Sequence, residues 1–170
     1  MDCRYQGTVH TPARGVVGEQ LAPVTVSLEQ LDPNGVPVAL DDRHATGLVA
    51  NILLASEDGA LDLGYNETGL HLLSGTHSVA PEVLDSRLVS TFRSLAIHRP
   101  GRYRLCVRVF NIVQTVAFMT TYPDGPLPMP SDAVFVGYSD VLVIHDRQFR
   151  NHSASAPPHT TSVSPAYPPR

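Results

Sequence analysis

Residues 100–112, PGRYRLCVRVFNI, decide the fold. After the Pro-Gly turn the residues alternate between two sets of positions. One set holds the apolar residues Tyr103, Leu105, Val107 and Val109. The other set holds Arg102, Arg104, Cys106, Arg108 and Phe110. Successive side chains of a β-strand point to opposite faces, so this pattern predicts a long strand with one apolar face. A helix would scatter the arginines among the core residues.

Length and composition favour one β-rich domain. The chain has 170 residues, enough for a substantial core, and its 15 prolines and 12 glycines predict many turns. The formal net charge is -4, so nucleic-acid binding would need a local basic patch. Two cysteines make no disulfide framework and predict a reducing compartment. We find no signal-peptide pattern and no apolar run of roughly 20 residues, and therefore expect a soluble intracellular protein.

Further strands are predicted from shorter alternating or apolar runs. They cover residues 5–9, 22–28, 36–40, 48–55, 90–97, 133–138 and 141–144. Residues 92–97 and 103–109 are expected to form a hairpin-like pair across residues 98–101. Residues 41–44 are predicted as an exposed loop, and residues 60–84 as a long loop tethered to the core by the leucines Leu61, Leu63, Leu70, Leu72 and Leu73.

Several short strands with turn signals between them predict an all-β fold, an immunoglobulin-like β-sandwich with long loops. We expect residues 1–148 to form this domain. Residues 149–170 are rich in Ser, Thr and Pro and are predicted to be a disordered tail, because such a segment has little apolar surface to bury.

An ordered set of short motifs resembles the velvet domain of fungal developmental regulators. GRYRL at residues 101–105 matches a family motif letter for letter, and LLSGT at residues 72–76 is close to the family's loop. The proline-led strand at residues 22–28 is similar to the family's PPIVQL, and FVGYS at residues 135–139 is similar to its closing FVVYS. Residues 12–14, 48–51, 57–59 and 92–95 complete the set, which spans roughly residues 5–140 in family order.

This resemblance implies a sandwich similar to the Rel-homology DNA-binding domain. It also implies DNA binding as a homodimer or as a heterodimer with other velvet proteins, and nuclear control of sporulation and secondary metabolism. The nucleus is the expected location, with the cytoplasm as a second compartment. Neither an enzymatic activity, a cofactor, a small-molecule substrate nor a membrane association is expected.

Two departures from the family pattern support an alternative. Residues 15–21, GVVGEQL, lack the basic run that precedes the proline-led strand in DNA-binding members. Residues 140–142, DVL, replace the two lysines that follow the family's YS. Because cations at phosphates supply most duplex affinity, the alternative is a protein–protein interaction module that has lost direct DNA binding.

Four arginines are the candidate DNA-contacting residues: Arg14, Arg102, Arg104 and Arg108. Arg14 occupies the family's loop arginine position and is otherwise a solvated cation. The three strand arginines either contact nucleic acid or form an exposed face that blunts an edge or pairs with carboxylates. Residues 141–144 are either a last core strand or an exposed pairing edge.

The remaining candidate side chains favour neither metal binding nor catalysis. Among the eight histidines, the spacing of His71 and His77 matches no ligand motif, so no metal site is predicted. Cys106 is expected to be a small buried hydrophobe, or a thiol activated by the neighbouring arginines. Ser74 has no recognisable general base in its motif, which argues against a hydrolase.

Overall fold

The computed structural model describes residues 4–60, 71–113 and 133–147. Within these ranges the chain forms thirteen strands and a four-residue helix. The first strands are β1 (Arg4–His10), β2 (Arg14–Val16), β3 (Val24–Leu31) and β4 (Pro37–Val38), followed by helix α1 (Asp42–Ala45) and β5 (Leu48–Ser56). Next come β6 (Leu73–Ser74), β7 (Ser78–Val79), β8 (Glu82–Leu84), β9 (Arg87–Phe92) and β10 (Ala96–Ile97). The last are β11 (Gly101–Asn111), β12 (Phe135–Tyr138) and β13 (Leu142–His145).

The first sheet has the order β1-β3-β9-β8, with β4 paired to the end of β3. All of its strand pairs are antiparallel. Strand β3 lies at its centre, and its side chains alternate as the sequence predicts: Val24, Val26 and Leu28 are buried. The turn after β3 is closed by Asp32, whose Oδ1 accepts from the amides of Asn34 and Val36 at 2.8 Å each.

The second sheet has the order β2-β13-β11-β5-β7, with β12 also paired to β11. Strand β11 is antiparallel to β5 along nine residue pairs, from Tyr103 opposite Ser56 to Asn111 opposite Leu48. The short strand β2 runs parallel to β13. The strand predicted at residues 100–112 is therefore confirmed, and it is the central strand of this sheet.

The two sheets form an all-β sandwich with immunoglobulin-like strand order. The main strands in chain order are β1, β3, β5, β8, β9, β11 and β13. Strands β1, β3, β9 and β8 build one sheet, and β13, β11 and β5 build the other. Lettered A to G in chain order, the first sheet is A, B, E, D and the second is G, F, C. That is the ABED and GFC arrangement of the immunoglobulin fold. The largest fully buried core side chains are Phe92, Leu28, Ile52, Leu88, Leu95, Ile97, Leu105 and Leu142.

A β-bulge lies between β12 and β13, which both pair with β11. Cys106 lies opposite Tyr138, but Tyr103 lies opposite Leu142, so one extra residue fits between the two pairs. The hydroxyl of Ser139 fills the gap. Its Oγ accepts from the buried Leu105 amide at 2.9 Å and donates to the Asp140 carbonyl at 2.6 Å.

The expected hairpin between residues 92–97 and 103–109 is wrong. Strand β9 pairs with β3 and β8 in the first sheet, whereas β11 lies in the second sheet. Strand β10 pairs with β6 instead. Residues 92–101 therefore lead from the first sheet, through the separate two-stranded sheet of β6 and β10, to β11 in the second sheet, and the buried Phe92 and Ile97 belong to the same core cluster as the apolar side of β11.

Two predicted loops also need correction. Residues 42–45 form helix α1, because the Asp41 side chain accepts from the Arg43 amide at 3.0 Å and caps the turn. Residues 60–84 contain strands β6, β7 and β8. Leu72 and Leu73 are buried as expected, while Leu61, Leu63 and Leu70 lie outside the described residues, as does the tail at 149–170. No helix in the described ranges is long and apolar enough to cross a membrane.

Candidate interaction surface on the second sheet

The outer face of the second sheet carries all four arginines that the sequence singles out. On β11 the residues Arg102, Arg104 and Arg108 alternate with the buried Tyr103, Leu105 and Val107, so they project away from the core. Arg14 lies opposite Val143 on β13, and Val143 lies opposite Arg102 on β11. Residues directly opposite one another share a face, so Arg14 and Arg102 lie in one row, two strand spacings or about 10 Å apart.

Arg102 is held by a carboxylate at the end of β5. Its Nε donates to Oε2 of Glu57 at 2.8 Å and its Nη2 donates to Oε1 at 2.7 Å. This bidentate pair lowers the pKa of the Glu57 carboxyl and raises the pKa of Arg102. The contact matches the expectation that strand arginines pair with carboxylates.

Arg104 ties three backbone segments together. Its Nε donates to the Glu57 carbonyl at 2.9 Å, and its Nη1 donates to the Ser139 carbonyl at 2.9 Å. With Glu57, Asp58, Gly59 and Tyr138 it lines an open cavity of about 520 Å³. Much of the hydrogen-bonding capacity of Arg104 is therefore used to fix the bulge and the end of β5.

Arg108 is different from the other two strand arginines. It lies between Val136 of β12 and Asn51 of β5 in a half-buried position. Its Nε is buried and has no hydrogen-bond partner among the described residues. Buried hydrogen-bond donors nearly always have an acceptor, because leaving one unpaired costs free energy. The Nε of Arg108 is an exception to this rule among the described residues.

Exposed apolar side chains lie beside Arg108 and in the adjoining row of the sheet. Tyr138 and Leu53 lie on either side of Cys106 in one row across β12, β11 and β5, and Val136 lies beside Arg108 in the next row. Tyr138 is 43% exposed, Leu53 39% and Val136 46%. We call Leu53, Val136 and Tyr138 the outer patch. Sequence reasoning missed it, although the nearly continuous apolar run at residues 48–55 was a signal that both faces of β5 are largely apolar.

Cys106 lies beneath the outer patch as a buried free thiol. Burial raises the pKa of the Tyr138 hydroxyl, and the hydrogen bond to Cys106 raises it further, while Arg108 lowers it. The expectation of a small buried side chain at Cys106 is confirmed by its lack of exposure.

Ser74 and His98 form a pair that sequence reasoning did not find. The Oγ of Ser74 lies 2.7 Å from Nε2 of His98. A catalytic pair of this kind needs a third group to orient the base, and within the described ranges no carboxylate is hydrogen-bonded to His98. The contact links β6 to the end of β10. Among the described residues, no group of three or more His, Cys, Asp or Glu side chains could hold a metal ion.

Comparison with known proteins gives no family assignment. No protein-family model matches the chain, and no curated protein matches it.

Proposed function

We propose that this chain is a velvet-like interaction module that acts through a protein partner in the nuclear regulation of fungal development and secondary metabolism. The observation that carries the proposal is the contrast on the outer face of the second sheet. Arg102 and Arg104 are engaged within the chain, while Tyr138, Leu53 and Val136 remain exposed on the strands that flank β11. Contiguous exposed apolar side chains are typical of protein contact surfaces.

The state of the arginines argues against duplex DNA as the main partner. A phosphate at Arg102 would have to replace the two hydrogen bonds that Arg102 donates to Glu57, and it would approach the Glu57 carboxylate. A phosphate at Arg104 would compete with two backbone carbonyls. With a formal net charge of -4, the chain supplies no compensating field.

Dimeric DNA binding is the second candidate function, and one observation favours it. Arg14 is exposed, has no ion pair with any described carboxylate, and lies in the same row as Arg102. Two cations about 10 Å apart on one face could contact neighbouring phosphates. A velvet-type dimer would present two such rows.

Fluorescence anisotropy with a mixed-sequence duplex, at low and at near-physiological salt, separates the two functions. We expect no salt-sensitive binding by the isolated chain. Binding that falls steeply with salt and weakens in Arg14→Gln would overturn the proposal and support the DNA-binding dimer. Arg43→Gln is the matched control, because Arg43 lies on helix α1, outside the strands of the second sheet, with a side chain 93% exposed.

A further inference from the structure

We propose that the outer patch is the docking site for a partner protein segment that presents a carboxylate flanked by apolar side chains, with Arg108 as the anchor for that carboxylate. This inference rests on the proposed function and names the surface and the chemistry of the partner.

The outer patch lies on the two strands that flank β11, with the buried Cys106 between them. Tyr138 and Leu53 flank Cys106, so their Cα atoms are two strand spacings apart, or about 10 Å. Val136 is two residues before Tyr138 on the same face of β12 and about 7 Å along the strand. The patch is therefore large enough to accept two apolar side chains of an extended segment, and it can form the centre of a larger interface.

Arg108 supplies a cation at the edge of this patch. Arg108 as a whole is half-buried, and among the described residues no carboxylate pairs with it. Two described acidic groups after the end of β5 have partners of their own: Glu57 pairs with Arg102, and Asp58 accepts from Ser56. A carboxylate from outside would complete the charge balance in a setting shielded by Tyr138 and Val136, where ion pairs are stronger than in open water.

The same charges disfavour a second copy of this chain as the occupant. A two-fold contact through the outer patch would bring the Arg108 side chains of both copies towards each other, and like charges brought together oppose such a contact. Duplex DNA is disfavoured because contact with the apolar side chains of the patch does not stabilise its charged phosphates. A protein segment with Asp or Glu beside apolar residues can pair with Arg108 and also cover the apolar side chains of the outer patch.

A displayed library of random twelve-residue peptides, selected on the purified full chain, tests this assignment. We expect the enriched peptides to carry Asp or Glu next to apolar residues. Their affinity should fall at least about tenfold with Arg108→Gln and with Val136→Ser, and remain unchanged with Arg43→Gln. Val136→Ser alters an exposed side chain, and an unchanged unfolding midpoint of each variant shows that the fold is kept.

Other results would overturn the assignment in distinguishable ways. Enriched peptides that bind Arg108→Gln and Val136→Ser as well as the parent chain would place the contact elsewhere, although the chain would still be an interaction module. No enrichment would remove the assignment of the patch. Self-association in sedimentation velocity that Val136→Ser abolishes would make a second copy the occupant. Salt-sensitive duplex binding that requires Arg108 would overturn both the assignment and the proposed function.

Discussion

Replacing Ser139 with alanine tests the bulge that joins β12 to β13. The Ser139 hydroxyl accepts from the Leu105 amide at 2.9 Å, and Leu105 is fully buried. The substitution removes one oxygen atom and leaves this amide without an acceptor. An unsatisfied buried donor costs about 1–3 kcal/mol, so we expect Ser139→Ala to lower the free energy of unfolding by about 2 kcal/mol. For a chain of this size the melting temperature should fall by roughly 6 °C.

Guanidinium denaturation of the parent chain and the variant measures this change. The slope of the free energy with denaturant should stay the same, because the surface exposed on unfolding does not change. Ser78→Ala is the control. Its exposed Oγ donates to Asn51, and the loss should stay within about 0.5 kcal/mol. A loss below about 0.5 kcal/mol in Ser139→Ala would show that the Leu105 amide finds another acceptor, and it would refute the role assigned to Ser139.

Three further changes have defined outcomes. Gly75→Ala should destabilise the chain by about 3 kcal/mol or more in denaturation, because φ is 112° and a Cβ would lie 2.2 Å from the Ser94 carbonyl oxygen. Phe92→Ala should cost about 3–5 kcal/mol, since Phe92 is fully buried; a smaller loss would mean that the core closes over the cavity. In a carbon-13 NMR titration the Glu57 carboxyl should titrate below its ordinary pKa of 4.5 and move up in Arg102→Gln. Because the pKa of Glu57 is lowered in the folded state, its pairing with Arg102 stabilises the fold above pH 4.5, and this stabilisation disappears as the pH falls through the folded-state pKa. Equal titrations in both proteins would contradict the pairing.

The alternation of residues was sufficient to predict most of the strands. Val24, Val26 and Leu28 face the core as their spacing requires, and the same holds for Tyr103 to Val109 on β11. Alternation is a local property that follows from the pleat of a single strand, so it can be read without knowing the neighbours. The all-β class followed from the number of such runs and the turns between them.

The pairing of strands could not be predicted in the same way. Strands β9 and β11 are close in sequence and both alternate, yet they lie in opposite sheets. Alternation shows which side chains face a core, but both sheets of a sandwich face the same core. The choice between a hairpin and a connection across the layers depends on the tertiary packing of residues such as Phe92 and Ile97, which no local pattern contains.

The partners of the arginines could not be predicted from the sequence either, and the proposed function depends on the differences between these partners. Three arginines at alternate positions look equivalent in RYRLCVR, but each meets a different environment. Arg102 finds Glu57, 45 residues earlier, because the β5–β11 register places the end of β5 beside it. Arg104 meets two carbonyls, and Arg108 meets Val136 and a buried position without an acceptor among the described residues. Since a cation that is already paired adds little to the binding of an external anion, Arg108 is the strand arginine with the most to gain from a partner. The apolar side chains beside it make a protein carboxylate a better match than a phosphate.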